Sequence, residues 1–253
     1  MAIIDIEQVE ELRKNSPFSQ LKIQDDIELY KKTDRYTCPA CNKRMKYFCY
    51  YCYRVLGMNR SDVPFVKLPI PIDIIKHESE LDGKTTALHA RVIADQDVSV
   101  YNWKRMPQYE QPERILMLFP GPDAKKLSEI PRDSFDKFIV IDGTWKQAKA
   151  IVRETPLLQK VQKVTIEPRQ TFFWRYQDIS VNYLSTIEAI YYLYVEYAQQ
   201  FELNGTYDGR YDNLLFYYKH LYDLIQYSYL KGEHKDRKFC WRHKENYIKK
   251  SSQ

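Results

Sequence analysis

Four of the five cysteines stand together, at Cys38, Cys41, Cys49 and Cys52, in the run CPACNKRMKYFCYYC. The pattern is C-x2-C, a seven-residue spacer, then C-x2-C. Each pair can turn as a tight knuckle that presents two thiolates, and two knuckles complete a tetrahedral zinc site. Four sulfurs leave the metal no open position, so the expected role of Zn2+ is structural. Disulfides between the same cysteines would need an oxidising compartment. Met1–Asn15 is acidic and lacks the apolar core of a secretory signal, so the expectation is residence in the nucleus or cytoplasm. The spacer carries Lys43, Arg44, Lys46, Tyr47 and Phe48. Cations interleaved with aromatics can contact phosphates and stack on bases. They can equally pack on a larger domain, and both readings stand at this level. Cys240 has no partner motif.

A second group of residues sits where strands end. In FIVIDGTWKQAKAI an apolar run leads into Asp142, Gly143 permits a sharp turn, and a helix begins near Thr144. Ligands in open α/β sheets bind beyond the carboxyl ends of strands. A carboxylate there can act as a base or accept hydrogen bonds, or simply cap the helix that follows. FPGPD, at Phe119–Asp123, follows another apolar run, and two prolines around Gly121 stiffen it. In YLSTIEAI, Ser185 and Glu188 have the spacing of a capping box, which makes Glu188 structural, while the helix start could still hold an anion. Arg169 follows the apolar run Lys163–Ile166 and could pair with an anion. KHESELDGKTTALHA contains Gly83-Lys84-Thr85, the end of a phosphate loop, but the glycine that motif needs at position 78 is Glu78, so an ATPase reading fails. What remains is a polar cluster of His77, Glu80, Lys84, Thr85 and His89.

These residues need a scaffold. Residues 1–33 read as helical, and 34–60 as the cysteine knuckle. Pro64–Ile75 reads as a strand, followed by a helix over Thr85–Ala94 and strands at Val98–Trp103, Ile115–Phe119, Phe138–Ile141 and Lys163–Ile166. Helices at Thr144–Glu154 and Thr186–Leu203 separate strands, and a long helix spans Tyr211–Tyr229. That alternation predicts an α/β domain over 61–229 with a mostly parallel sheet and flanking helices, then a basic tail over 230–253.

Composition narrows the classes. Hydrophobic residues make up 44% and charged residues 29%, with only 7 glycines, a globular balance. No apolar run reaches the length of a membrane span. Net charge is +5, yet residues 34–60 and 230–253 each carry an excess of +5, so the remainder sums to −5. Two basic ends around an acidic middle suit a polyanionic partner. The run Lys235–Lys244 is compatible with nuclear import. Of 22 tyrosines, those at Tyr191, Tyr192, Tyr194 and Tyr197 have helical spacing and are expected in the core.

In chain order, CPACNKRMKYFCYYC, KHESELDGKTTALHA, FPGPDA, DGTWKQA and LSTIEAI resemble the DTW-domain family, and closely its eukaryotic tRNA-uridine aminocarboxypropyltransferases, over roughly residues 38–192. In this chain Gly143 stands between Asp142 and the Thr144-Trp145 of the signature. The resemblance implies a SPOUT-like fold with a knotted binding region for S-adenosylmethionine (SAM), with SAM as donor and a tRNA D-loop uridine as acceptor. It implies Asp142 as the catalytic residue, a base or an orienting group. Pro120, Gly121, Pro122, Gly143, Thr144, Trp145, Leu184, Ser185 and Thr186 would line the SAM pocket. His77, Glu80, Lys84, Thr85, His89 and Arg169 would face RNA or the amino-acid end of SAM. Two rival readings share these features: a SPOUT-type RNA methyltransferase and a non-catalytic zinc-ribbon RNA-binding protein. Monomer and dimer are both compatible with the sequence.

Overall fold

The structure is a computed structural model that describes residues 5–174 and 183–230. Two short helices, α1 (Ile6–Lys14) and α2 (Ile27–Tyr30), precede a two-stranded antiparallel ribbon of β1 (Tyr36–Thr37) and β2 (Arg44–Met45). Then come β3 (Ile72–Lys76), α3 (Ala87–Ile93), β4 (Val98–Asn102), β5 (Ile115–Leu118), β6 (Lys125–Lys126) and β7 (Lys137–Asp142). The chain continues through α4 (Trp145–Glu154), α5 (Pro156–Lys160), β8 (Gln162–Thr165), α6 (Thr186–Phe201) and α7 (Phe216–Leu230).

The strands from β3 onward form one six-stranded sheet in the order β4-β3-β7-β5-β8-β6, and every pairing in it is parallel. Parallel strands covered on both faces read as continuous apolar runs, which is why IDIIK and KFIVID look alike in sequence. Their side chains alternate between two cores. Ile72, Ile74, Phe138 and Val140 face α3 and α6, where Leu88, Ile190 and Tyr194 pack. Ile75, Ile139 and Ile141 face α4 and α5 through Ile151 and Leu158. Helices thus cover both faces of the sheet, as expected. No helix among the described residues is long and apolar enough to cross a membrane.

Several expectations shift. The strand read over Pro64–Ile75 begins only at Ile72. Val66, Leu68 and Ile70 are buried, but prolines interrupt the ladder, and Val66 N and Leu68 N instead donate to Ile93 O (3.0 Å) and the Asp97 carboxylate (2.9 Å). The N-terminal helical region is two short helices, because Ser16-Pro17 turns the chain between them. The last helix opens with a tighter turn at Asp212–Leu215. Tyr191, Tyr194 and Tyr197 are core residues; Tyr194 Oη donates to Ile70 O (2.6 Å) and Tyr191 Oη to Asp212 (2.9 Å). The basic tail beyond Leu230, with Cys240, lies outside the described residues. So do residues 175–182.

The cysteine segment is one local structure built twice. Cys38 N donates to Lys43 O (2.9 Å) and Asn42 N to Cys38 O (2.9 Å); Cys49 N donates to Arg54 O (2.8 Å) and Tyr53 N to Cys49 O (2.9 Å). Asn42 and Tyr53, each just after the second cysteine of its pair, both have left-handed backbone, φ 58° and 57°. The aromatics of the spacer turn inward. Phe48 packs on Tyr217 and His89, and Tyr47 Oη meets His220 Nε2 at 2.8 Å.

Candidate active site at the carboxyl ends of the strands

The central strand β7 delivers Asp142 to the carboxyl edge of the sheet, flanked by β3 on one side and β5 on the other. Gly143 then takes φ +153°, a conformation that side chains resist, and an added Cβ would lie 3.2 Å from His77 Cβ and 3.0 Å from Gln147 Oε1. The helix cap is Thr144, not Asp142. Thr144 Oγ1 accepts from Gln147 N (3.4 Å) and Gln147 Oε1 accepts from Thr144 N (2.7 Å), which gives Gln147 a structural role. The Asp142 carboxylate is thereby left for other partners.

Those partners come from far along the chain. Thr85 Oγ1 donates to Asp142 Oδ2 (2.8 Å) and Thr186 Oγ1 donates to Oδ1 (2.6 Å). Thr85 Oγ1 also accepts from Ala87 N (3.0 Å), so α3 starts later than the sequence suggests and its first turn points the hydroxyl at the sheet. Thr86 Oγ1 accepts from Ile187 N (3.2 Å), tying α3 and α6 together behind the carboxylate. Asp142 is 3% exposed. Burial pushes its carboxyl above the usual carboxylate range, against the pull of the two hydroxyls and of the Lys76 charge. Lys76, paired in register with Asp142, donates from Nζ to Glu80 O (2.9 Å) and pairs with Asp82 (3.0 Å), which fixes the 80–82 turn. A lysine ending a buried strand was the sequence signal for that role.

Two cavities meet at this point. The two differ in the residue types of their walls: one, of about 490 Å³, has mostly apolar residues, at the ends of β5, β7 and β8, together with Trp145, Arg169, Tyr183 and Leu184. The other, of about 630 Å³, is lined by Glu80, Lys84, Thr85, Asp142, Thr144, Lys146, Phe173 and Ser185, among others. Gly143, Trp145, Leu184 and Thr186 belong to both walls.

The residues singled out from sequence fall into these walls unevenly. Pro120, Gly143, Trp145, Leu184 and Thr186 line the apolar cavity, as does Arg169; Thr144 and Ser185 line the polar one. Gly121 and Pro122 line neither. They lie on an exposed turn beside the Asp123–Lys163 ion pair (2.7 Å). Glu80, Lys84 and Thr85 line the polar cavity. His77 does not line either cavity; its ring stacks on Trp103 at 5.8 Å and its Nδ1 accepts from Ser79 N (3.1 Å). His89 lines neither cavity. It is buried between Phe48 and Tyr217, and burial holds its imidazole neutral, down to about 3. Its helix is buried on nearly every side, a fact that motif membership does not convey. Glu188 is structural, as its spacing suggested: buried, it accepts from Ser185 N and Oγ (2.8 Å each), Thr171 Oγ1 (2.6 Å) and Phe172 N (2.8 Å). Sequence reasoning missed Val164–Pro168, Tyr183 and Phe173 as wall residues; the available signal was their place just past a strand or before a helix.

Arg169 lies with its guanidinium 5.0 Å from the Tyr192 ring centroid and 3.6 Å from Glu196, while its buried Nε has no hydrogen-bond partner among the described residues. The four knuckle sulfurs lie within 4.8 Å of one another, with Cys41 and Cys49 3.5 Å apart. Tetrahedral zinc with Zn–S of about 2.3 Å sets its sulfurs about 3.8 Å apart, so the donor set and its spacing fit that ion.

The DTW domain matches this chain over residues 46–226. tRNA-uridine aminocarboxypropyltransferase 1 of Xenopus laevis is 37% identical over 250 residues, covering 81% of this chain and 85% of that protein. The Homo sapiens protein of the same name is 31% identical over 258 residues, covering 84% of each. tRNA-uridine aminocarboxypropyltransferase 2 of Drosophila melanogaster is similar over a shorter stretch, 34% identical across 77 residues, 26% of this chain and 31% of that protein. No solved structure gives a significant match. With the domain match spanning most of the sheet and the relatives most of the chain, this protein belongs to the DTW-domain family.

Proposed function

We propose that this protein is a tRNA-uridine aminocarboxypropyltransferase that moves the 3-amino-3-carboxypropyl group of SAM to N3 of a D-loop uridine. The relatives' names support the reaction class. The observation that carries the assignment to these residues is Asp142, buried in the wall of the polar cavity next to Gly143 and Thr186, which border both cavities, and held by two threonine hydroxyls.

The apolar cavity has the size and lining of a site for a nucleoside-sized ligand. Trp145 and Tyr183, 4.4 Å apart, offer aromatic surface to an adenine, and Arg169 offers a cation to a carboxylate. When bound, SAM supplies an electrophilic methylene beside a sulfonium; as N3 bonds to that carbon, the carbon–sulfur pair stays with sulfur and methylthioadenosine departs. The polar cavity takes the uracil, with Phe173 as a stacking surface and Lys84 and Lys146 toward phosphate. Asp142 accepts the N3 proton and later releases it to water; its raised carboxyl makes it a stronger base than an exposed aspartate. Thr85 and Thr186 hold the two carboxylate oxygens so that the remaining lone pairs point in a fixed direction. Which carbon of the sulfonium faces the acceptor decides between this transfer and methylation, so positioning is the main task of the walls.

The knuckle holds a structural Zn2+ through Cys38, Cys41, Cys49 and Cys52. A SPOUT-like knot is consistent with loops after β5, β7 and β8 converging on the N-terminus of α6. Mass spectrometry of nucleosides from unmodified tRNA incubated with protein and SAM tests the reading. A uridine carrying the aminocarboxypropyl mass, with methylthioadenosine released, is the expected result. A methyl-sized shift with S-adenosylhomocysteine would overturn it in favour of a methyltransferase.

A further inference from the structure

Ion pairs hold some of the described cations of the sheet domain and leave others, such as Arg105, Lys125, Lys149 and Lys160, without one; what sets the knuckle apart is the scarcity of acids around its cations. On the sheet domain Lys67, Lys76, Arg114, Lys126, Lys137 and Lys163 are each paired with a carboxylate. On the knuckle Arg35, Lys43, Arg44 and Arg54 are all exposed, and none has a salt bridge among the described residues. Segment 34–60 contains one acidic residue, Asp34, so no local carboxylate is present in number to neutralise them.

The aromatics of the segment separate into two sets. Phe48 and Tyr47 face inward and fix the knuckle to α3 and α7. Tyr51 faces outward, 48% exposed, with Lys43 Nζ 3.4 Å from its ring centroid. The knuckle also adjoins the polar cavity: a Cβ placed on Gly83 would lie 3.3 Å from Tyr50 Cε2, and the next two residues, Lys84 and Thr85, line that cavity.

We infer that the outer face of the knuckle, Arg35, Lys43, Arg44 and Arg54 with Tyr51, grips the sugar-phosphate backbone of the RNA whose uridine enters the adjoining cavity. Unpaired cations on a metal-braced surface release counterions on meeting phosphates and read no sequence. The site therefore adds affinity outside the reacting nucleotide. This inference rests on tRNA as the acceptor.

The test is equilibrium binding of fluorescently labelled tRNA transcript, without donor, to the full-length protein with zinc bound. The variant is Lys43→Gln/Arg44→Gln/Arg54→Gln, checked for zinc content and thermal unfolding, with single Lys43→Gln and Arg54→Gln variants should the triple not fold. Each lost phosphate contact lowers the slope of log K against log salt by about 1, so the triple variant should lose roughly 2–3 in slope. In turnover, KM for tRNA rises while kcat holds. Unchanged affinity and slope in a folded, zinc-loaded variant overturn the inference. So does an equal loss in Arg153→Gln, which removes a cation already paired with Glu154 (2.6 Å). If the wild type binds tRNA through this face yet transfers nothing to it, the proposed reaction fails and the binding surface stands.

Discussion

Among the aspartates almost completely removed from solvent, Asp26 and Asp142, at 1% and 3% exposure, stand in opposite surroundings. Asp26 sits where α2 meets α7. Its carboxylate accepts from Lys219 Nζ (2.8 Å), from Arg13 and from His220 Nδ1 (3.1 Å). The other nitrogen of His220 meets the Tyr47 hydroxyl of the knuckle. Burial alone would raise the Asp26 carboxyl, but the His220 hydrogen bond and the Lys219 charge pull it down to about 2. Asp142 has hydroxyl partners instead, and its nearest lysine charge is shared with Asp82, so burial prevails and its carboxyl is raised. A buried carboxylate among cations is locked as an anion and pins three parts of the chain together. One held by neutral donors can change its proton state, which suits chemistry.

The contrast can be broken at either end. Asp142→Asn should lower transfer by about 10²–10⁴-fold, measured by nucleoside mass spectrometry. Its thermal stability at neutral pH should not fall, because a carboxyl whose folded pKa is raised contributes less stability once pH climbs above the unfolded value. Transfer at the wild-type rate would reject Asp142 as the proton acceptor. Asp26→Ala should do the reverse. It removes the carboxylate shared by Arg13, Lys219 and His220, leaving Arg13 to Asp25 and Asp223 and Lys219 to Asp223, and should cost about 1–3 kcal/mol in urea unfolding, while activity per folded molecule persists. A loss below about 1 kcal/mol, the scale of a surface pair, would show that the cluster does not pin the fold.

Acid sharpens the same comparison. Asp26 has a depressed folded pKa, so its contribution is complete above the ordinary aspartate value of 3.8 and disappears as pH falls through about 2. Across that window wild type should lose roughly 2.5 kcal/mol that Asp26→Asn does not; parallel pH curves for the two proteins would contradict the assignment. Thr186→Val and Thr85→Val remove one donor each and should slow transfer by about tenfold, the equivalent of roughly 1.5 kcal/mol for a hydrogen bond to a charged group. Thr186→Ser keeps the hydroxyl and should recover most of the rate. Equal kcat in Thr186→Val and wild type would leave that hydroxyl a purely structural part.

Legibility followed the range of the interaction. Phe138–Ile141 reads as a strand and Asp142-Gly143-Thr144 as a turn into a helix because each depends on neighbours within a few residues. The knuckle was readable for the same reason, down to its repeated geometry. Pro64–Pro71 misled because buried apolar residues alternate there without pairing, and alternation reports burial as readily as it reports a ladder. His89 misled because a motif says which residues occur together and not which way a helix is turned; α3 is buried on nearly every side.

By itself, then, the chain determined its local chemistry: four thiolates at zinc spacing, an aspartate at a strand end, and a glycine at the turn into the next helix. Only the tertiary structure decided what Asp142 does with its two oxygens, since Thr85 and Thr186 arrive from 57 and 44 residues away. It likewise decided that Asp26 is a pin, through Lys219 and His220 at separations of 193 and 194 residues. The physical reason is that hydrogen-bond partners and burial set a carboxylate's charge, and both are properties of the packed surroundings that no spacing along the chain encodes.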